Sequence, residues 1–166
     1  MGLKSIDRAI ITTCLFGVLV STYAFYVEMV VEAHPEYKAM CDLSEYASCS
    51  RVLTSEYSKG FGISAPDSSY SIPNCIYGIA FYCLIIFLAT FEHLQIARLT
   101  LLCAVTSVAG CVYLAYILAF ILHDICVVCI STYVVNGFLV YFSMKKLKFL
   151  DAKKKDLNTG KIQETI

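Results

Sequence analysis

From Asp124 to Met144 the chain reads DICVVCISTYVVNGFLVYFSM, one acidic residue followed by twenty residues without charge, with a Cys-x-x-Cys at the start. Twenty helical residues at 1.5 Å each cross about 30 Å, the thickness of a bilayer's hydrocarbon core, so this stretch reads as a membrane-spanning helix. Three more uncharged stretches precede it: Ala9 to Val27, Ser68 to Phe91 and Leu99 to Leu122. The second starts late, because Ser68 to Pro73 is polar and turn-like and the apolar run proper begins near Cys75. With 58% hydrophobic and 16% charged residues, the 166-residue chain lies outside the usual composition of soluble domains. The expected fold is an all-α integral membrane protein, a four-transmembrane-helix bundle forming one domain over residues 1–166, with spans near 9–31, 74–91, 99–122 and 125–144.

The charges orient these spans. Lys4 and Arg8 precede the first, and Lys145, Lys146, Lys148, Lys153, Lys154, Lys155 and Lys161 follow the fourth in a basic tail, 145–166. By the positive-inside rule both termini are cytoplasmic, as an even number of spans requires. The first run is read as a retained signal anchor, since it is long and no small-residue cleavage site follows. Between the first two spans, Glu28 to Asp67 holds seven acidic residues against Lys38, Arg51 and Lys59, so the cap loop 32–73 is expected to face the lumen. A connection of about 40 residues is long for a plain link and points to function. No nucleic-acid partner is expected.

That orientation sorts the nine cysteines. Cys41 and Cys49 fall in the lumenal loop, and Cys126 and Cys129 open the fourth span on the same side. Cys14, Cys83, Cys103 and Cys111 lie within spans, where a thiol packs as a small apolar group. Cys75 sits near the lumenal boundary as a spectator. A Cys-x-x-Cys at a helix start brings two sulfurs within bridging distance, and the helix N-terminus stabilises thiolate, the form that attacks. Asp124 is the expected N-cap. A structural disulfide is the competing reading for any lumenal pair. Zinc fits less well, because seven residues separate Cys41 from Cys49; no metal is expected. Two dithiol pairs on one side can instead pass electrons by thiol–disulfide exchange.

Steps of three, four and three place Cys126, Cys129, Tyr133 and Asn136 on one stripe of the fourth helix. Polar groups inside a span are costly unless partnered, so the stripe is expected to face the bundle interior and an apolar pocket. For Asn136 the alternative is an ordinary interhelical hydrogen bond, and for Asn74, after Pro73, a helix N-cap. A dithiol loses two electrons on becoming a disulfide. The matching substrate is a lipid-soluble two-electron carrier such as a quinone, whose carbonyl oxygens accept hydrogen bonds from an amide or a phenol.

Residues 41–52 read CDLSEYASCSRV, 60–62 GFG, 73–78 PNCIYG, 109–118 AGCVYLAYIL and 124–133 DICVVCISTY. In this order they resemble the animal vitamin K epoxide reductase family, from the first span through the fourth, with only the basic tail unmatched. The resemblance implies an endoplasmic reticulum enzyme that reduces vitamin K epoxide to the quinone and the quinone to hydroquinone, with no tightly bound cofactor. It implies that Cys129 attacks the substrate, that Cys126 resolves the adduct, and that Cys49 and Cys41 relay oxidation to a lumenal thioredoxin-like oxidoreductase or an external dithiol. By the same resemblance Asn74 and Tyr133 are hydrogen-bond donors to the substrate, Phe81, Tyr77, Leu53 and Tyr57 line or cover its pocket, and coumarin-type inhibitors compete there. Three features depart from the family pattern: Tyr57 stands where a Trp is common, the stretch between Gly62 and Asn74 is shorter than in vertebrate forms, and Cys75 replaces a Ser.

The same four cysteines would serve the reverse electron flow, in a quinone-dependent oxidase that makes disulfides for secretory folding. About 30 mV of potential difference is worth roughly 1.4 kcal/mol for a two-electron couple, so substrate and partner supply set the direction. A nonenzymatic scaffold with fixed lumenal disulfides is the reading from another class.

Overall fold

A computed structural model describes residues 2–34, 36–42, 48–60 and 72–163. The described residues are all-helical: α1 (Leu3–Ala33), α2 (Cys49–Leu53), α3 (Asn74–Ala89), α4 (Leu94–Ile117) and α5 (Val127–Gln163), with a 3-10 turn at Glu56–Ser58 and a π turn, Leu118–Leu122, closing α4. Three are long and apolar enough to cross a membrane: Leu3–Ala33, Leu94–Leu122 and Val127–Leu157. At 16 residues α3 is shorter than the expected second span, reaching about 24 Å at 1.5 Å per residue. Large apolar side chains face outward along these helices, among them Leu19, Phe87, Leu102, Val112, Phe120 and Phe138. An outward apolar face with small and polar groups inside is the pattern of a helix assembly in lipid. The chain is a multi-pass membrane protein.

α1 overruns its expected span at both ends and α5 at its C-terminal end, because an α-helix, once nucleated, propagates through polar residues with good helix propensity as well as through apolar ones. α1 continues to Ala33, so Glu32, expected in the cap loop 32–73, belongs to the helix together with Glu28. α5 continues through the basic segment to Gln163. Within that segment Lys146 is buried: its Nζ meets Asp7 Oδ1 on α1 at 2.8 Å and donates to the Ala89 carbonyl ending α3, also at 2.8 Å.

α1 packs along α3 and α5, and α5 along α4, while α3 and α4 touch sparingly. Glycine allows the α1–α3 approach: a Cβ on Gly17 would lie 2.6 Å from Tyr82 Cζ, and one on Gly78 2.8 Å from Ser21 Oγ. Ile6, Ile10 and Cys14 of α1 meet Tyr82 and Ile85 of α3 and Leu139 of α5 in the main core. The weak contact between α3 and α4 leaves the room in which the site lies.

Candidate active site

The connection from α1 to α3 is organised by Asp42. Its Oδ1 accepts from the Ser48 hydroxyl and the Ser50 N–H, both at 3.0 Å, and its Oδ2 from the Ala39 N–H at 3.0 Å and the Ser50 hydroxyl at 2.5 Å. Burial raises the carboxyl, but these hydrogen bonds favour the ionised form and hold it below its ordinary value of 3.8. One side chain thus grips both ends of the segment that carries Cys41 and Cys49, which are joined as a disulfide with Cα atoms 5.7 Å apart. Ser48 caps α2, its hydroxyl accepting from the Arg51 N–H at 3.3 Å. Gly60 donates to the Ile72 carbonyl at 3.1 Å, and Lys59 pairs with Glu32 of α1. Phe61 to Ser71, including the rest of the GFG motif and the shortened stretch, lie outside the described residues.

Asp124, expected to cap α5, does something else. It is buried, and its Oδ2 pairs with Arg51 Nη1 at 3.2 Å, tying α2 to the α4–α5 turn. Arg51 brings a full positive charge to the carboxylate where a helix N-terminus offers about half of one, so the arginine wins it. Cys126 takes the N-cap position in its place: its carbonyl accepts from the Ile130 N–H at 3.0 Å and its sulfur from the Cys129 N–H at 3.4 Å. The first cysteine of the pair therefore sits where the helix presents its unpaired N–H groups. Cys126 and Cys129 are free thiols, while Cys41 and Cys49 are oxidised.

A cavity of about 880 Å³ opens between α3 and α4, walled on its other sides by α1, α5 and the α1–α3 connection. That volume suits a drug-sized compound. Cys129, Tyr133, Asn74, Tyr77, Phe81, Leu53 and Tyr57 all line it. Cys126, Cys49 and Cys41 do not; Cys126 and Cys49 are fully buried in one cluster, against which Cys41, Cys75 and Cys129 pack. The ten residues singled out in the sequence thus divide into seven on the cavity and three cysteines beside it.

Both asparagines have polar partners within the protein. Pro73 holds the N-cap position of α3 and Asn74 is the first helical residue, so the Asn74 side chain is not the cap; its amide donates to the Tyr57 carbonyl at 2.7 Å. Asn136 makes the interhelical bonds allowed for it, accepting from the Tyr82 hydroxyl at 3.3 Å and donating to Cys111 Sγ at 3.1 Å, and it also lines the cavity. Cys111, Cys75, Ser21 and Glu28 are cavity residues that the sequence did not single out. A signal existed for α1: Ser21, Ala24 and Glu28 follow at steps of three and four, a small and polar stripe on one helix face.

The site is thus a pair of free thiols at the N-terminus of α5, one of them, Cys129, lining an apolar cavity inside a multi-pass membrane protein. A profile of the vitamin K epoxide reductase family matches residues 8–144. Vitamin K epoxide reductase complex subunit 1 of Rattus norvegicus is 36% identical over 155 residues, covering 91% of this chain and 96% of the rat protein. The Mus musculus protein of the same name is 39% identical over 145 residues, 85% of this chain and 90% of the mouse protein. The chain belongs to the vitamin K epoxide reductase family and is an oxidoreductase.

Proposed function

We propose that this protein reduces vitamin K 2,3-epoxide to the quinone, and the quinone to hydroquinone, at the Cys126–Cys129 dithiol. The observation that carries the reading is the placement of Cys129 on a cavity that also presents Asn74 and Tyr133. Cys129 attacks a ring carbon of the substrate, Asn74 and Tyr133 hold its oxygens, and Cys126 attacks the Cys129 sulfur, forming the disulfide as the sulfur–carbon bond breaks and its electron pair stays on the substrate carbon. The dithiol loses two electrons and two protons, which the epoxide takes up as it releases water. Cys49 then attacks Cys126 and oxidation passes to the Cys41–Cys49 pair. Burial of Cys49 and Cys126 in one cluster supports that order.

A lumenal thioredoxin-like protein or an external dithiol reduces Cys41–Cys49 again. The topology in this reading has four spans, α3 being the short one, both termini cytoplasmic and the α1–α3 connection capping the site on the lumenal side of the endoplasmic reticulum membrane. Coumarin-type inhibitors occupy the same cavity. Conversion of vitamin K epoxide by the purified protein in mild detergent with dithiothreitol, followed by chromatography, tests the proposal. Wild type is expected to turn over and Cys129→Ala to lose at least about 1,000-fold, as expected when a covalent nucleophile is removed. Absence of conversion by folded wild type would redirect the assignment to a quinone-dependent disulfide-forming oxidase.

A further inference from the structure

Glu28 is an ionisable residue well inside α1, and packing does not explain it. The rest of the buried face of α1 is small or apolar, as with Ile10, Cys14, Gly17, Ala24 and Val27, whereas Glu28 is only 1% exposed. One carboxyl oxygen, Oε2, accepts from Cys75 Sγ at 3.4 Å. The other, Oε1, is buried without a hydrogen-bond partner among the described residues. Such an oxygen is costly to keep inside a membrane protein, and an ionisable group retained there is a functional candidate by default. Glu28 lines the same cavity as Cys129. Through Cys75 it is joined to the first turn of α3, beside Asn74.

We propose that Glu28 is the proton donor of the cavity, protonating a substrate oxygen while the dithiol supplies the electrons; this rests on the reading of the site as an epoxide and quinone reductase. When the Cys129 thiolate bonds to the epoxide carbon, the carbon–oxygen bond breaks and the oxygen takes the Glu28 proton to become a hydroxyl. When Cys126 then takes the Cys129 sulfur, the electron pair left on carbon expels that oxygen, which leaves as water with a second proton. The two protons shed by the cysteines on becoming thiolates balance the two consumed, and Glu28 recovers one of them. In quinone reduction the same carboxyl protonates one carbonyl oxygen as the hydroquinone forms.

The route by which Glu28 is recharged is also present. Glu32 lies one helical turn further along α1, where side chains four residues apart are about 6 Å apart. Glu32 and Lys59 form an ion pair whose side chains are 43% and 35% exposed, so this pair reaches solvent. The titratable groups facing Glu28 are Cys75 of α3, Lys59 of the α1–α3 connection and Glu32. None of the three supplies a second carboxyl on the cavity.

The test is the pH profile of kcat and KM for the epoxide and the quinone, in wild type, Glu28→Gln and Glu28→Asp, at saturating dithiothreitol, with Cys129→Ala as the inactive reference. Glu28→Gln keeps an acceptor for Cys75 but has no acidic proton. It is expected to lower kcat about 100-fold, in the range of general acid catalysis, with KM within about 3-fold, and to remove the fall of kcat at high pH. Glu28→Asp is expected to retain that alkaline limb at a kcat reduced by about 10-fold. A Glu28→Gln enzyme with the wild-type kcat and profile, or one changed in KM alone, would overturn the proposal while leaving the Cys129 chemistry standing. If Glu28→Gln does not fold, loss of the alkaline limb in Glu28→Asp overturns it equally. A folded wild type inactive toward both substrates would overturn the reductase reading and this proposal together.

Discussion

At the end of the helix assembly that carries Lys146, three helices are locked by one buried cation: Asp7 of α1 and the last carbonyl of α3 both converge on the ammonium of α5. At the other end α3 and α4 stand apart around a cavity, where Glu28 keeps one buried oxygen without a hydrogen-bond partner among the described residues. Closed packing with paired charges holds the shape, whereas open packing with an unpaired oxygen leaves room and hydrogen-bonding capacity for a substrate. The contrast assigns stability to one end and chemistry to the other.

Substitutions at the two ends should therefore separate. Lys146→Ala leaves Asp7 without its cation and is expected to destabilise the fold by about 3 to 5 kcal/mol, measured as thermal unfolding in detergent, while a double Asp7→Leu, Lys146→Leu variant recovers most of the loss. If the single variant unfolds like wild type, the locked end is not what holds the helices. Gly17→Ala pushes a methyl group against Tyr82 and is expected to cost about 1 to 3 kcal/mol by the same assay, with a further loss of turnover because Tyr82 is bonded to Asn136 on the cavity. Stability reduced without any change in turnover would disconnect that tyrosine from the site.

The smallest effect concerns the loop disulfide. Asp42 is held below its ordinary value of 3.8, so its grip on Ser48, Ser50 and Ala39 is fully present above that value and is lost as the pH falls through its lower value in the folded protein. The rate at which a phosphine reduces Cys41–Cys49, taken as the ratio of wild type to Asp42→Asn, cancels the pH dependence of the reagent. The ratio is expected to be below one at neutral pH and to rise toward one as the pH falls through that lower value. A ratio of one at every pH would show that Asp42 does not shield the disulfide.

Much of this arrangement was legible in the sequence because it depends on long-range composition. Twenty uncharged residues after Asp124 announce a span whatever they pack against, and Cys126, Cys129, Tyr133 and Asn136 repeat at a helical period that survives into the structure. What was misread depends on single competing contacts. Asp124 looks like a cap until Arg51, 73 positions earlier, is brought to it by α2, and then the cysteine sulfur takes over the cap. Glu28 counts among the acids that orient the chain, and only the packing of α1 shows its side chain to be buried. Lys146 looks like one lysine among several in a basic tail, and only the position of Asp7 buries it.

Whether electrons reach the cavity from the loop pair through Cys126 is tested most directly by mapping disulfides in a fully reduced Cys49→Ala variant after a single turnover with vitamin K epoxide. Peptide mass spectrometry is expected to find Cys126 bonded to Cys129, trapped there because the next electron donor is missing, in an amount equal to the quinone formed. Quinone formed while Cys126 and Cys129 remain free thiols would contradict it.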